Sequence, residues 1–318
     1  MERLTKANVQ EKIRGPVFSV MTPFIPKTDE IDYPALERFL MRIHEAGGRV
    51  FYVMAYNSRY SQMTFEEIRH LNAFVCRFVK ACNPEHLVIV ADPPHCSTRV
   101  TAEFAEHALK NGADMISLIV RERFYSEEQI YRHFELVAKA VPIPLLIHEM
   151  PFLTGYGGPQ VNWPVSLLDR LADMESVLAI KEDAKDDAYS LDVIRAIRDR
   201  VSIIISGGDQ SQWIRFVDEG CQAWLIGIGV FDPRLSVRFY REWQAGNREF
   251  CHRLIQDVER PFFEEGVKKF GWHLTIKAAL EALGVMSRHD RMPLMPLHSE
   301  EAKQISTLMR KLPIDLYV

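Results

Sequence analysis

Residues 145–148 read LLIH and residues 178–181 read LAIK, two apolar runs that each end on a titratable side chain. Runs that are apolar throughout are typical of parallel strands, because helices cover both faces of a parallel sheet. The two runs therefore predict buried parallel strands that end on His148 and Lys181.

Similar runs recur along the chain, and eight candidate strands alternate with amphipathic helical stretches. The predicted strands are Val17–Met21, Val50–Ala55, Leu87–Ala91, Met115–Val120, Pro144–His148, Val177–Lys181, Ser202–Ser206 and Ala223–Gly227. The predicted helices between them are Tyr33–Ala46, Phe65–Cys82, Ala102–Asn111, Glu127–Ala140, Pro164–Leu171, Asp187–Arg198 and Gln210–Glu219. This alternation favours a closed α/β barrel, the (β/α)8 TIM barrel, over an open sheet.

The length of the chain allows a barrel with an appendage. A TIM barrel takes ~250 residues, and this chain has 318. We expect the barrel in residues 1–232 and a C-terminal helical region, packed on the barrel, in residues 233–318. Pro233 opens a predicted helix, and further helical stretches lie near Asn247–Phe270, His273–Leu283 and Ser299–Lys311.

Composition argues against several classes of partner. The formal net charge is −4 and no basic run carries interleaved aromatic residues, so no nucleic-acid or membrane-surface partner is expected. No apolar stretch approaches the ~18 residues of a membrane span. The polar N-terminus lacks the apolar region of a secretory signal, and the five cysteines are scattered. These features predict a cytoplasmic protein with reduced thiols.

Lys181 is the first candidate for catalysis. Reactive groups of a TIM barrel lie at the C-terminal ends of its strands, and Lys181 ends a strand that is otherwise free of charge. Burial there would lower the pKa of the amine, and a partly neutral amine is what addition to a carbonyl requires. The alternative is an ordinary lysine paired with Glu182 or Asp183.

His148 ends the preceding strand in the same way. An imidazole titrates near neutrality, which makes His148 a candidate general acid and base. The alternative is a buried, hydrogen-bonded histidine. Two titratable groups at the ends of adjacent strands favour a functional site.

Residues near the strand ends are candidates for substrate binding. They are Tyr56, Asn57, Arg59, Arg121, Glu122, Glu149, Gly207 and Asp209, and Asp92, His95 and Arg123 lie at similar positions. The alternative for a polar residue there is an ordinary solvated loop residue. Arginines at a barrel mouth can hold a carboxylate in bidentate fashion. Gly227, in a Gly-Ile-Gly turn after the eighth strand, is similar to part of a phosphate-binding barrel loop, although a tight turn is the favoured interpretation.

The histidines form no HxH or HExxH pattern, so no metal site and no cofactor are predicted.

Several of these stretches together resemble one protein family. The opening strand GPVFSVMTPF, the helix IYRHF, the strand LAIKED and the C-terminal IKAALEALG are similar to segments of the dihydrodipicolinate synthase/N-acetylneuraminate lyase family of class I aldolases. The resemblance runs from about Gly15 to Leu312. It implies a barrel enzyme in which Lys181 forms the Schiff base, and a homo-oligomer, commonly a tetramer.

The resemblance breaks at several positions that bind substrate in relatives. The family's Gly-Thr/Ser-Thr-Gly-Glu loop, which grips the carboxylate of a 2-keto acid, appears here as Ala55-Tyr56-Asn57-Ser58-Arg59. The family's Tyr-Asn-x-Pro, whose tyrosine shuttles protons, appears as His148-Glu149-Met150-Pro151. The arginine that the synthase places after this proline falls on Leu153, and a tyrosine pair falls on Arg121-Glu122. The synthase reaction itself is therefore not expected.

Two functions remain open at this point. The first is a Schiff-base-forming lyase, aldolase or dehydratase that acts on a small-molecule 2-keto acid, with sugar-derived ones included, and in which His148 moves protons. The second is a barrel that has lost aldolase chemistry and binds a small molecule or regulates, as the altered loop and the missing tyrosine suggest. Reduction with borohydride in the presence of 2-keto acids discriminates between them.

Overall fold

A computed structural model describes residues 3–120, 126–150, 152–153, 160–206 and 209–318. Its centre is a closed barrel of eight parallel strands in the order β1-β8-β7-β6-β5-β4-β3-β2. They are β1 (Gly15–Ser19), β2 (Val50–Val53), β3 (Leu87–Ala91), β4 (Met115–Leu118), β5 (Leu145–Glu149), β6 (Val177–Glu182), β7 (Ser202–Ile205) and β8 (Ala223–Leu225). The predicted TIM barrel is confirmed.

A helix follows each strand and packs outside the barrel. These helices are α1 (Tyr33–Glu45), α2 (Phe65–Cys82), α3 (Thr98–Lys110), α4 (Glu127–Ala140), α5 (Val165–Ala172), α6 (Asp187–Ile197), α7 (Gln210–Phe216) and α8 (Pro233–Gln244). The predicted capping boxes at Thr64 and Ser126 are confirmed. Helix α3 begins earlier than predicted because the Ser97 side chain accepts a hydrogen bond from the Val100 N–H.

Strand β2 ends earlier than predicted because the carbonyls that follow it accept hydrogen bonds within the next loop. β2 stops at Val53 instead of Ala55. The carbonyls of Met54 and Ala55 accept hydrogen bonds from the N–H groups of Ser58 and Tyr60, at 2.8 and 3.0 Å. These carbonyls are therefore committed to the loop and not to a neighbouring strand.

Side chains that point into the barrel form an apolar column. The buried residues of this column, on the strands or directly after them, are Val17, Val50, Tyr52, Met54, Leu87, Ile89, Met115, Leu146, Leu178, Ala179, Ile204, Ala223 and Leu225. Leu4, Val9 and Ile13 of the N-terminal segment join the same cluster, next to the residues that begin the strands. They close the N-terminal end of the barrel, which leaves the opposite end for chemistry.

The C-terminal region continues as helices. α8 packs against β1 and α1, in the place of the eighth barrel helix. Helices Arg248–Leu254, Trp272–Ala282 and Ser299–Lys311 follow, and the last two pack against each other. The boundary at residue 233 stays a prediction. Within the described ranges, no helix is both long enough and apolar enough to cross a membrane.

Candidate active site

Lys181 and His148 lie side by side inside the barrel. They are register partners on the adjacent strands β5 and β6, and Lys181 Nζ lies 3.0 Å from His148 Nε2. Each residue lies two positions after a member of the interior column, Ala179 or Leu146. Because side chains alternate along a strand, both point inward, where their side chains are fully buried.

Asp183 is a third member of this group. Its Oδ2 lies 2.6 Å from Lys181 Nζ and 3.9 Å from His148 Nε2, and its Oδ1 contacts Lys185 Nζ. Burial by itself would raise the pKa of the Asp183 carboxyl, but Lys181, His148 and Lys185 together hold the pKa below its ordinary value. Asp183 is therefore an anion in direct contact with the candidate nucleophile.

The Lys181 amine experiences two opposed influences. Burial lowers the pKa of Lys181 below its ordinary value, the charge of Asp183 opposes that shift, and the charge of Lys185 adds to it. The net direction is downward, towards the neutral amine that adds to a carbonyl. In the sequence, Asp183 was identifiable only as a possible partner of an ordinary lysine, and no pattern indicated Lys185.

Glu182 and Glu149 lie on the other face of the barrel wall. Glu182 accepts hydrogen bonds from the Ala184 N–H at 2.7 Å and the Ser190 hydroxyl at 2.6 Å. Glu149 accepts one from the Trp163 N–H at 3.3 Å, and burial, aided by the charge of Glu182, raises its pKa to about 7. Since Glu149 points away from the interior, its contacts give no support to a role in substrate binding.

The loop after β2 is held by contacts within the protein. The buried Asn57 donates a hydrogen bond to the Ser19 hydroxyl at 3.1 Å, whereas Tyr56 is 47% exposed. Arg59 is buried, donates to His273 Nε2 at 2.7 Å and lies 3.6 Å from Asp290. These contacts correct the expectation that the guanidinium of Arg59 is available for a substrate anion.

Arg59 belongs to a buried charged cluster, defined here as Arg59, His273, Lys277 and Asp290. Lys277 Nζ lies 3.9 Å from Asp290 and donates to the Thr22 carbonyl at 3.1 Å. Burial lowers the pKa of His273 to about 4 and that of Lys277 to about 8. The cluster joins the β2 loop to the C-terminal helices, so its described contacts are structural.

Two other candidates serve local structure. Asp209 is the N-cap of α7 and accepts a hydrogen bond from the Gln212 N–H at 2.6 Å. The Gly227 carbonyl accepts from the Val230 N–H at 3.0 Å, which agrees with the favoured interpretation of a tight turn. Arg121, Glu122, Arg123 and Gly207 lie outside the described residues.

Asp92, which follows β3, is buried and ties two strands together. It accepts hydrogen bonds from the Thr101 hydroxyl at 2.9 Å and the Ile119 N–H at 3.2 Å. Burial raises the pKa of its carboxyl to about 7. Among the residues that the structure describes, no group of three or more His, Cys, Asp or Glu side chains could hold a metal ion.

Comparison with known proteins identifies the family of this barrel. The sequence profile of the dihydrodipicolinate synthetase family matches residues 16–312. The chain belongs to this family. The resemblance inferred from the motifs is thereby confirmed, and the members of the family are lyases of the aldolase type.

Relatives within the family are distant. A 4-hydroxy-tetrahydrodipicolinate synthase of Sorangium cellulosum (strain So ce56) is 26% identical over 310 residues, which cover 95% of this chain and 97% of the relative. A protein of the same name from Archaeoglobus fulgidus is 23% identical over 308 residues, 94% of this chain and 98% of the relative. Both span the whole fold at low identity.

Solved structures agree with the fold. Dihydrodipicolinate synthase from Oceanobacillus iheyensis gives a TM-score of 0.82 at 20% identity and covers 96% of this chain and 98% of that chain. A prophage protein of the dihydrodipicolinic acid synthase family from E. coli K12, solved in complex with pyruvate, gives 0.82 at 22% identity, with coverage of 94% and 98%. At these identities the likeness establishes the architecture alone.

Proposed function

We propose that the protein is a Schiff-base-forming lyase that acts on a 2-keto acid, by aldol cleavage, condensation or dehydration. One observation carries the proposal: a buried lysine at the end of β6 lies 3.0 Å from an imidazole at the end of β5. A neutral amine and a proton carrier in hydrogen-bond contact are the two groups that iminium formation requires.

The reaction begins when the Lys181 ammonium gives a proton to His148. The neutral amine then attacks the carbonyl carbon, and the nitrogen loses a proton as the carbonyl oxygen gains one, which yields a carbinolamine. His148 returns its proton to the hydroxyl, water leaves and an iminium remains. The iminium withdraws electrons from the adjacent bond that breaks or forms.

We further propose that the reaction differs from that of 4-hydroxy-tetrahydrodipicolinate synthase. His148 stands where the family's proton-shuttling tyrosine is expected, and Leu153 stands where the synthase places an arginine. Tyrosine titrates near ~10 and imidazole near ~6.5, so the proton is moved from a different starting state. A sugar-derived 2-keto acid fits such a lyase by analogy with the family.

Reductive trapping tests the proposal. Purified protein is incubated with a panel of 2-keto acids and sodium borohydride, which reduces an iminium to a stable secondary amine, and the intact mass is measured. We expect an adduct on the wild type and none on Lys181→Met, an uncharged variant of similar length. A wild type that forms no adduct with any member of the panel contradicts the proposal.

A second candidate function is a small-molecule-binding barrel without aldolase chemistry. The observation that favours it is the contact of 2.6 Å between Lys181 and Asp183, because a carboxylate so close favours the charged amine. Binding of a 2-keto acid measured by calorimetry, without a reducible adduct, would support this candidate.

We also propose a homo-oligomer, a tetramer by family likeness, which native mass spectrometry tests.

A further inference from the structure

One carboxylate separates two lysines at the candidate site. Asp183 contacts Lys181 through Oδ2, at 2.6 Å, and Lys185 through Oδ1. Lys185 Nζ also donates to the backbone carbonyl of Ser206, at the end of β7. The two amino groups therefore lie on opposite sides of a single side-chain carboxylate.

With Asp183 and Lys185 both charged, the charges of these three groups balance only when Lys181 is neutral. With Lys181 as a neutral amine, the pair formed by Asp183 and Lys185 is electrically neutral. When Lys181 becomes an iminium, the three groups carry two positive charges and one negative charge. Asp183 can neutralise only one of the two positive charges. An unbalanced charge in a buried site is costly, so one further anion would stabilise the iminium state.

We propose that Lys185 binds the carboxylate of the substrate, next to the carbonyl that Lys181 attacks, and so selects 2-keto acids over neutral carbonyl compounds. Asp183 is the positioning residue that holds Lys185 beside Lys181. This inference rests on the proposed Schiff-base function and adds the residue that recognises the substrate class.

The donors of Lys185 suit this role. An ammonium carries three N–H donors, and among the described residues Asp183 and the Ser206 carbonyl accept two of them. The third remains for a ligand. The side chain of Lys185 is 49% exposed, so a substrate that approaches from solvent meets this cation before it reaches the buried Lys181.

The backbone of Lys185 fixes where the side chain starts. Its φ is 60°, in the left-handed region that non-glycine residues rarely adopt. Such strain persists where the surrounding structure holds it, and it concentrates at functional sites. Here the contacts to Asp183 and Ser206 join the loop after β6 to the end of β7 and hold this conformation.

Two other candidate donors near the strand ends have partners within the protein. Arg59 pairs with Asp290, and the Asn57 amide donates to Ser19. The resemblance to the family implies that hydroxyls of this loop hold the carboxylate in relatives, and Tyr56 and Asn57 stand at these positions here. A cation on the β6 loop would replace that interaction from another side of the site.

Two matched probes test the assignment: pyruvate, and its neutral methyl ester. The apparent affinity of each is measured, at a pH above the acid limb of every variant, from the concentration dependence of adduct formation in the presence of cyanoborohydride, for the wild type, Lys185→Met and Lys185→Arg. We expect Lys185→Met to weaken the affinity for pyruvate by about tenfold or more, the range for a hydrogen bond to a charged group, and to leave methyl pyruvate unchanged.

The variants separate charge from folding. Lys185→Arg keeps the cation and should retain most of the preference for pyruvate, while Lys110→Met, which removes a lysine from the exposed face of α3, should change neither probe. Equal effects of Lys185→Met on both probes, or none on pyruvate, overturn the inference while the proposed function stands. If the wild type forms no adduct with either probe or any other 2-keto acid, the proposed function fails and the inference fails with it.

Discussion

His148 Nε2 lies 3.0 Å from Lys181 Nζ across a register pair of β5 and β6. Neighbouring strands fix this separation, because both backbones are hydrogen-bonded into the closed barrel. Functional groups on rigid elements keep their geometry better than groups on loops. The proposed nucleophile and proton carrier therefore do not depend on a moving segment to meet.

Lys181→Met should abolish the reducible adduct and turnover with every 2-keto acid. Water cannot replace the amine, because the iminium itself is the electron sink. Circular dichroism and the Tm should remain close to those of the wild type, since a thioether chain fills the space of the lysine stem. Turnover by Lys181→Met near the wild-type rate would contradict the Schiff-base mechanism.

His148→Phe should slow formation of the Schiff base by ~10²–10⁴-fold, the usual range for general acid–base catalysis, because phenylalanine can neither take the proton of the Lys181 ammonium nor return it to the departing water. Its pH–rate profile should also lack the limb that the titration of His148 contributes in the wild type. Single-turnover kinetics with rapid quenching separates adduct formation from the later step.

His148→Tyr is the matched variant for this position. It restores the residue of the family but adds volume and raises the pKa of the proton carrier, so only partial recovery is expected. If His148→Phe keeps both kcat and the pH profile of the wild type, the histidine is structural and another group carries the proton.

Asp183→Asn and Lys185→Met should shift the acid limb of adduct formation in opposite directions. The charge of Asp183 raises the pKa of Lys181, and that of Lys185 lowers it. Loss of the anion should therefore move the limb to lower pH, and loss of the cation should move it to higher pH. Rates of adduct formation with cyanoborohydride, measured across pH, check both signs. Shifts in the same direction would contradict this electrostatic assignment.

The barrel could be predicted from the sequence because its signal is local. Runs such as LLIH and LAIK are apolar on both faces, and the residues that end them lie at the C-terminal end of the barrel. That placed Lys181 and His148 on adjacent strands. Period-two alternation also places Glu149 outside once His148 points inward, which argues against the prediction that Glu149 binds substrate.

The rest of the site depends on contacts that no local pattern encodes. Lys185 reaches Asp183 and Ser206 only because its loop takes a left-handed turn, whereas a charged residue in a loop is ordinarily solvated. Arg59 finds its partners, His273 and Asp290, in the C-terminal helical region more than 200 positions away. Sequence position alone therefore suggested a substrate-binding arginine where the structure has a buried ion pair.

Arg59→Met should destabilise the fold and leave KM unchanged. Removal of one partner from a buried ion pair leaves the remaining charge buried without its counter-charge, which lowers the free energy of unfolding by about 3 kcal/mol. Asp290→Asn should act in the same direction, because Asp290 also faces His273 and Lys277. Urea denaturation and KM for a 2-keto acid check this. A raised KM at unchanged stability would instead support a role of Arg59 in substrate binding.

Glu149→Gln should make the stability of the protein less dependent on pH. An unperturbed glutamate titrates near ~4.3, whereas burial and Glu182 raise the pKa of Glu149 to about 7. The folded state therefore holds the proton more tightly than the unfolded state. Its contribution to stability is complete below the unfolded pKa and is lost as pH rises through the folded pKa.

Between about pH 5 and pH 8, the wild type should therefore lose stability that Glu149→Gln retains, on the order of 1–3 kcal/mol at the upper end. Urea denaturation at several pH values measures the difference, and Glu30→Gln, at an exposed position, is the control that should follow the wild type. Because the amide carries no charge at any of these pH values, the curve for Glu149→Gln should be flatter. Parallel curves for Glu149→Gln and the wild type would mean that Glu149 titrates as it does in water, and that the wall of the barrel leaves room for its hydration.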